Sequence, residues 1–359
     1  MTKRVRLRDL GITIGRYPTG PLNAISDVPG VWVGQHSVIR DQPEVVRTGV
    51  TVIWPRAGQI HADFAFGGYH AFNGIGEMTG LHYLEETGLL TTPVVLTNTN
   101  QVGLARDTLA KFGARMGRFC YKLAIAAETY DGWLSDIDAF GLSETDVLAA
   151  LESAGPGAVV EGNTGGGTGM ICHDFKGGTG SASRRVVVAG VEYTLGVLVQ
   201  ANHGDRHMLR VDGVPVGRIL DARRVPLPWD QPPETSSIIV MIATDAPLMP
   251  QQCKKLARRA AIGMARTGGV GSDGSGDLFL AFSTGNSLPA DARGPLPFHF
   301  LTHNQTSALV EAAAEAVEEA ILNALCMAET MTGFRGRTAY ALPLDELAGI
   351  MAQRRWVEE

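Results

Sequence analysis

Short runs of consecutive apolar residues alternate with polar, glycine-rich turns along the first two-thirds of the chain. In several runs Val, Leu and Ile occupy adjacent positions, which is typical of strands that are covered on both faces. Such strands favour layered α/β packing over an open antiparallel sheet. The predicted strands lie in VWVGQHSVI (31–39), TGVTVIWP (48–55), TPVVLTNT (92–99), LESAGPGAVVEGN (151–163), RRVVVAGVEYTLGVLVQAN (184–202) and SIIVMIA (237–243).

Helical periodicity appears in three stretches between and after these runs. The stretch 247–267 has Asp245 as a candidate N-cap and prolines suited to a first helical turn. Its apolar side chains recur on one face: Cys253, Leu256, Ala260 and Met264. The stretch 307–331 is rich in Ala, Leu and Glu and is the strongest helix prediction, and 103–128 is the third.

Length and composition favour one large domain. The chain has 359 residues, of which 45% are hydrophobic, enough to bury a large core. A stretch with four prolines in fourteen residues, 223–236, predicts an exposed linker, because proline is excluded from central strands. The part after it has too few strands to close its own sheet. We therefore expect a single domain over 1–359.

Charge and cysteine patterns argue against several classes of protein. The net charge of -6 and pI of about 5.9 leave no basic footprint for nucleic acid. No CxxC pair or long apolar run occurs, and residues 1–20 lack the apolar segment of a signal peptide. We therefore expect no zinc ribbon, disulfide framework or membrane span, and reduced thiols in the cytoplasm. The four cysteines are scattered along the chain: Cys120, Cys172, Cys253 and Cys326. A local basic run is predicted as a solvated helix face: Lys254, Lys255, Arg258 and Arg259.

The usual cofactor and nucleophile motifs do not fit. The glycine-rich loops EGNTGGGTGM and FKGGTGSAS lack the spacing of a phosphate-binding loop and predict tight turns around a site. His203 and His207 lie in HGDRH, which reads as a turn. Cys172 and His173 are adjacent, and on an extended strand they would point to opposite faces. No G-x-S-x-G occurs, so we expect no nucleophile elbow. From the loops and histidines above, we also expect no metal or cofactor.

Ser237 opens the last strand-like run directly after the proline-rich stretch. Cleavage before it would give a free α-amine with a pKa of about 7.7–8.0, against about 10.4 for Lys, beside its own hydroxyl. Such an amine is a built-in general base. The alternative is a serine that merely begins a strand.

Ser275 and Asp277 precede a second apolar run, in GSDGSGDLFLAFSTGN (271–286). Small polar side chains at the start of one strand can hydrogen-bond a nucleophile on its neighbour. An ordinary turn is the alternative.

Long segments in the same order resemble the L-aminopeptidase/D-Ala-esterase/amidase family, which includes the β-peptidyl aminopeptidases. The resemblance implies a four-layer αββα sandwich, layered like the Ntn hydrolases but connected differently. It also implies a precursor that cleaves itself into 1–236 and 237–359. The segments, over about 20–332, are DVPGVWVGQHS, ETYDGWLSDI, GNTGGGTGMICHDFKGGTGS, GVLVQANHG, SIIVMIATDAPLMPQQCKKLARRAAIGMARTGG and GSGDLFLAFST.

The resemblance also implies a role for each site residue. Ser237 matches the nucleophile and new N-terminus, with Ser275 and Asp277 orienting it. Asn202 matches the oxyanion-hole amide. Glu128 and Tyr130 match the residues that receive the substrate amine and flank the reacting carbonyl.

The cleavage site carries one departure from the family pattern. Ser236 precedes the nucleophile where relatives often have Gly or Asn, and the string SIIV favours Ser237 as the new terminus.

The resulting hypothesis is a self-processing serine aminopeptidase that acts through an acyl-enzyme. Its substrates would be short peptides, amino-acid amides or esters, and a closed homo-oligomer, a tetramer of cleaved heterodimers, is implied by the resemblance. Two alternatives stay open: an acyltransferase like the ornithine acetyltransferases, and a homologue that never matures.

Overall fold

The computed structural model describes residues 3–118, 121, 123–230 and 236–353. Within these residues the strands are β1 (Trp32–Arg40), β2 (Val46–Trp54), β3 (Asp63–Gly74), β4 (Leu89–Leu90), β5 (Val94–Asn98), β6 (Ile125–Thr129), β7 (Ile171–Cys172), β8 (Phe175–Lys176), β9 (Gly178–Val188), β10 (Val191–Asn202), β11 (Ser236–Thr244), β12 (Ser275–Pro289), β13 (Met331–Thr332) and β14 (Thr338–Ala339). The α-helices are α1 (Leu81–Thr87), α2 (Val102–Arg115), α3 (Glu144–Glu152), α4 (Val216–Ile219), α5 (Pro250–Ala257), α6 (Ala260–Arg266), α7 (Ser307–Met327) and α8 (Leu344–Ala352).

Two mixed sheets form the middle layers. The smaller has the order β1-β2-β5-β6, with β5 and β6 parallel and the other neighbours antiparallel. The larger has the order β4-β3-β12-β11-β10-β9, with β11 and β12 as its parallel pair. The two central strands of the larger sheet therefore come from the last third of the chain.

Alternation along β11 separates two hydrophobic cores. Ile238, Val240 and Ile242 pack into the core shared with α5, α6, α7 and α8. Ile239, Met241 and Ala243 pack into the core between the sheets, which continues to α2 and α3. This gives four layers, helices on each outer side of two sheets, and confirms the predicted αββα arrangement. It also explains why the runs are apolar at adjacent positions.

Some element predictions were wrong. The stretch 103–128 is not one helix, since α2 ends at Arg115, Gly117 adopts a φ of +66°, and Ile125–Thr129 forms β6. An apolar, Ala-rich run fits a buried strand as well as a helix. The stretch 151–163 begins as the end of α3 and continues as turns, because its Gly-Pro-Gly sequence interrupts a strand ladder.

The two C-terminal helix predictions needed smaller corrections. The stretch 247–267 forms two helices, α5 and α6, and α5 begins after Met249 with Pro250 in its first turn. Asp245 is not the N-cap, because its carboxylate accepts the Thr194 amide at 2.7 Å. The stretch 307–331 is helical only to Met327.

Three of the four cysteines lie in the described part of the chain. Cys172, Cys253 and Cys326 are free and buried, while Cys120 and positions 231–235 of the proline-rich stretch lie outside the described residues. Within these described ranges, no helix is both long and apolar enough to span a bilayer.

A buried ion network joins the N-terminal segment and β9 to α7. Arg184 Nε lies 3.0 Å from Glu315 Oε2, and its Nη2 lies 2.7 Å from Glu319 Oε2. Arg8 Nε lies 2.7 Å from the other oxygen of Glu319. Removing one partner would leave a buried charge uncompensated, so this network is strongly coupled to folding.

Gly180 lets β9 approach α7 closely. A Cβ on Gly180 would lie 1.9 Å from the carbonyl oxygen of Ala320 and 2.7 Å from the amide nitrogen of Ala324. Both are backbone atoms of α7, so no side-chain rotation could relieve the clash.

We expect Gly180→Ala to lower the free energy of unfolding by about 1–3 kcal/mol, because α7 must shift away from the sheet. Gly349→Ala within α8 is the control, since a Cβ there meets nothing within 4 Å and alanine favours the helix. Urea unfolding of both variants checks the prediction. Equal effects would show that the close approach at Gly180 is unimportant.

Candidate active site

Ser237 lies in a row of residues that crosses three strands. It is opposite Asn202 on the antiparallel strand β10 and opposite Gly276 on the parallel strand β12. Ser237 is buried and has the parity of Ile239, which faces the space between the sheets. Its hydroxyl therefore lies at the end of the inter-sheet core, beside a residue that has no side chain.

The space over Gly276 is filled by backbone from the segment after β3. A Cβ on Gly276 would lie 2.5 Å from the carbonyl oxygen of Ile75 and 2.9 Å from Cα of Gly76. A Cβ on Gly76 would in turn lie 3.2 Å from Glu128 Oε1. Gly76 and Gly276 face each other, and this close approach brings the Glu128 carboxylate close to the strand position paired with Ser237.

Glu128 is buried on β6, and two hydrogen bonds hold its carboxylate. Oε1 accepts the backbone N–H of Glu77 at 2.9 Å, and Oε2 accepts the hydroxyl of Thr99. Burial raises the pKa of Glu128, while the Thr99 and Glu77 hydrogen bonds oppose the rise. The carboxylate is a fixed but poorly solvated acceptor, suited to pair with a cation.

Ser236, Ser275 and Asp277 form a hydrogen-bonded chain at the start of β11 and β12. Ser236 Oγ donates to Ser275 Oγ at 2.9 Å, and Ser275 Oγ donates to Asp277 Oδ1 at 2.7 Å. Burial raises the pKa of Asp277 to about 6, against the hydrogen bonds from Ser275 and the Ile238 amide. The structure thus joins Ser275 and Asp277 as expected and adds Ser236 to them.

Asn202 is braced at both ends of its amide. Oδ1 accepts the backbone N–H of Ile171 at 2.8 Å, and Nδ2 donates to the carbonyl of Tyr130 at 3.0 Å. Nδ2 carries a second hydrogen, so the amide keeps a donor for another acceptor. Tyr130 contacts Asn202 through its main chain, and its half-buried ring packs over Gly132.

A buried cluster beside Asn202 contains Cys172, His173 and His203. The thiol lies 3.8 Å from His203 Nδ1, His173 Nδ1 lies 3.1 Å from the Asp205 carbonyl, and one donor atom from each of the three residues lies within 4.8 Å of the others. Burial raises the pKa of Cys172 to about 12, lowers that of His173 to about 4 and lowers that of His203 well below its ordinary value. The three groups are therefore neutral at physiological pH, and the thiol is not an activated nucleophile.

The cluster also helps to hold Asn202 in position. His173 is not on a strand, because it adopts a φ of +47° in the turn between β7 and β8. Its amide donates to the His203 carbonyl at 2.8 Å. The β7–β8 hairpin is thereby fixed against the residue that follows Asn202.

Lys176 fixes the glycine-rich loop from within. Its fully buried Nζ donates to the carbonyls of Met170 at 2.7 Å and Gly177 at 2.8 Å. Burial lowers its pKa to about 7. Residues 161–170 thus contain a tight turn, as the sequence indicates, whereas the prediction was wrong for FKGGTGSAS (175–183), which forms β8 and the start of β9.

Comparison with known proteins shows the family to which the chain belongs. The profile of peptidase family S58 matches residues 23–339. The chain belongs to peptidase family S58. A hydrolase of the aminopeptidase class, as the sequence resemblance implies, is thereby confirmed.

Relatives within family S58 match nearly the whole chain. The β-peptidyl aminopeptidase of Sphingosinicella microcystinivorans is 43% identical over 98% of this chain and 92% of its own. A β-aminopeptidase structure from Burkholderia sp. has a TM-score of 0.91 and 46% identity, covering 98% of this chain and 99% of its own. The L-aminopeptidase/D-Ala-esterase/amidase of Ochrobactrum anthropi has a TM-score of 0.91 and 42% identity, covering 97% and 98%.

The Ochrobactrum protein is described as a new variant among Ntn-hydrolase folds. This agrees with the Ntn-like layering and different connectivity expected from the sequence.

Several residues that shape the S58 site without reacting were not predicted from the sequence. Gly76 and Gly276 set the distance between Glu128 and the start of β11, and the NGIGE string at 73–77 is the signal that could have indicated this. Thr99 and the Glu77 amide hold Glu128, and no sequence pattern identifies them. Glu128 itself lies on a strand rather than at a helix end.

We expect Asp277→Asn to stabilise the protein at neutral pH. Because the pKa of Asp277 is raised from 3.8 to about 6, the native state binds more protons than the unfolded state between these values, and the wild type loses stability as pH rises through them. The advantage of the variant should be larger at pH 8 than at pH 4, by up to about 3 kcal/mol. Urea unfolding at both pH values measures it, with Ser237→Ala in both proteins so that neither can cleave itself. A pH-independent difference would contradict the raised pKa.

Proposed function

We propose that the protein cleaves itself between Ser236 and Ser237 and then works as a serine aminopeptidase with Ser237 as its N-terminal nucleophile. The observation that carries this proposal is the row formed by Asn202, Ser237 and Gly276, where β10 ends and the parallel strands β11 and β12 begin. It places a buried serine between an amide donor and a glycine that packs against the backbone of Ile75 and Gly76. The pieces would be 1–236 and 237–359.

The two pieces would stay associated after cleavage. Strands β11 and β12 of the smaller piece lie between β3 and β10 of the larger piece. Arg8 and Arg184 of the larger piece pair with Glu319 of the smaller piece. Both features join the pieces through buried contacts.

In the mature enzyme the α-amine of Ser237 acts as the general base for its own hydroxyl. Ser275 and Asp277 orient this terminus. Asn202 donates to the oxyanion of the tetrahedral intermediate, an interaction that strengthens as negative charge develops. The acyl-enzyme on Ser237 Oγ is then hydrolysed by water.

Glu128 receives the free ammonium group of the substrate. Its carboxylate is buried, held by two donors and close to Gly76 and Gly276, so a bound ammonium would lie near the reacting carbonyl. Tyr130 flanks this carbonyl from the β6 side. The substrates are short peptides, amino-acid amides or esters with a free amine. The names of the relatives make peptides with an N-terminal β-residue a class to test.

The oligomeric state is what the resemblance implies, whereas the cytoplasmic location and the absence of a metal or cofactor are expectations from the sequence. The mature protein is a cytoplasmic homo-oligomer, a tetramer of cleaved heterodimers. It requires no metal or cofactor. Membership of family S58 favours this peptidase over an acyltransferase.

The wild-type protein should yield a second chain that begins Ser-Ile-Ile-Val. Ser237→Ala should stay in one piece, because the hydroxyl that attacks the Ser236 carbonyl is gone. Intact mass spectrometry and N-terminal sequencing distinguish the two results. A cleaved Ser237→Ala protein would show that another agent cuts the chain, and an uncleaved wild type would identify a homologue that does not mature.

Glu128→Gln should lower kcat/KM about 30- to 1000-fold, because a buried ion pair with the substrate amine is lost. Cleavage before Ser237 should continue, since that step involves no substrate amine. Both rates are measured on the same preparation, with an amino-acid amide as substrate.

The control is Glu86→Gln, which removes an exposed carboxylate on α1.

Wild-type enzyme should also hydrolyse N-acetyl-alanine amide far more slowly than alanine amide. Equal rates on these two substrates would mean that the amine is not recognised and would favour a general amidase.

A further inference from the structure

The hydrogen-bonded chain at the cleavage site begins at Ser236, the residue whose carbonyl is attacked. Ser236 and Ser275 are register partners at the first position of the parallel pair β11 and β12. Their hydroxyl oxygens are 2.9 Å apart, and Ser275 continues the chain to Asp277 at 2.7 Å. The side chain of the scissile residue is thus tied to the pair that orients the nucleophile.

Charge fixes the direction of this chain. With a pKa of about 6, the Asp277 carboxylate is ionised at neutral pH and can only accept hydrogen bonds. Ser275 must therefore give its single proton to Asp277, so its oxygen is an acceptor toward Ser236. The Ser236 hydroxyl has to donate, which limits the orientations that its side chain can take.

This restriction bears on the backbone as well. Ser236 is the first residue of β11, where the strand ladder holds the chain on one side only. A side-chain bond to the neighbouring strand adds a second fixed point next to the scissile carbonyl. An oriented carbonyl reacts faster because the entropy of positioning is already lost.

We propose that Ser236 is a positioning residue for self-cleavage, whose hydroxyl holds the scissile peptide against Ser275 and Asp277. This inference rests on the proposed self-processing function. It assigns a role to the side chain on the acyl side of the scissile bond, in addition to the nucleophile.

Ser236 assists an acyl shift from nitrogen to oxygen, which is followed by hydrolysis of the resulting ester. Ser237 Oγ forms a bond to the carbonyl carbon of Ser236, the bond from that carbon to the Ser237 nitrogen breaks, and the hydroxyl proton ends on this nitrogen. Water then hydrolyses the ester, giving its OH to the Ser236 carbonyl carbon and a proton to Ser237 Oγ. The products are a Ser236 carboxylate and a Ser237 α-amine.

The test follows the rate of cleavage after cell-free translation with a short radiolabelled pulse, with samples separated by gel electrophoresis. Ser236→Ala should cleave about tenfold more slowly, because one oriented hydrogen bond next to the reacting carbonyl is lost. Ser236→Thr keeps the hydroxyl and should restore most of the rate. Ser287→Ala, an exposed serine on β12, is the matched control.

A double-mutant cycle separates positioning from a general structural effect. If Ser236 acts through Ser275, Ser236→Ala should cause little further slowing in a Ser275→Ala background. Thermal unfolding of the same variants carrying Ser237→Ala reports whether the uncut fold is intact. If Ser275→Ala cleaves too slowly to time, the comparison of Ala with Thr at 236 decides alone.

The outcomes distinguish this inference from the proposed function. Wild type that cleaves before Ser237, with Ser236→Ala cleaving equally fast, would overturn the role of Ser236 and leave the peptidase proposal standing. Slowing by both Ala and Thr would also overturn it, because the hydroxyl would then not be the cause. Wild type that never cleaves would overturn self-processing itself.

Discussion

The pairing of β11 with β10 and β12 at its first residues is the constraint on which the rest of the site depends. One antiparallel and one parallel neighbour fix Ser237 between Asn202 and Gly276 before any side chain contributes. Because the side-chain period of a strand is two, a shift of one residue would turn Ser237 toward the helices and Ser236 toward the inter-sheet space. The apolar residues that follow, which alternate between two cores, oppose such a shift.

The same pairing explains why the chain can be cut without falling apart. The proposed break follows the first residue of β11, so the pairing of β11 with both of its neighbours from Ser237 onward is kept. The central strands of the larger sheet and the ion network around Glu319 both connect residues before the break with residues after it. Cleavage then releases one loop end while the hydrophobic cores stay closed.

Much of this arrangement could be predicted from sequence, and the failures have physical causes. The apolar run after Ser237 and the Ala-rich helix α7 were recognisable because pattern, length and flanking residues agreed. The run 125–129 was not, since its apolar residues Ile125, Ala126 and Ala127 are consecutive and fit either a helix or a buried strand. Likewise Glu128 could be identified by resemblance, whereas its support from Thr99 and the Glu77 amide arises from chain segments that meet only in the fold.

The buried carboxylates give the site an electrostatic character that its sequence does not reveal. Burial raises the pKa of Glu128, of Asp277 to about 6 and of neighbouring Asp131 to about 7. Each of these acids is less stable as an anion than it would be in water, so the folded protein gains when a cation or a strong donor approaches. An amine-bearing substrate would provide that cation at Glu128, and a new α-amine would provide it at Ser275 and Asp277. Two positive groups, one on the substrate and one on the enzyme, would then be bound by acids that lie near Gly276. This arrangement favours molecules that carry an amine near the reacting carbonyl, because only these can reach Glu128 while their carbonyl lies at Ser237.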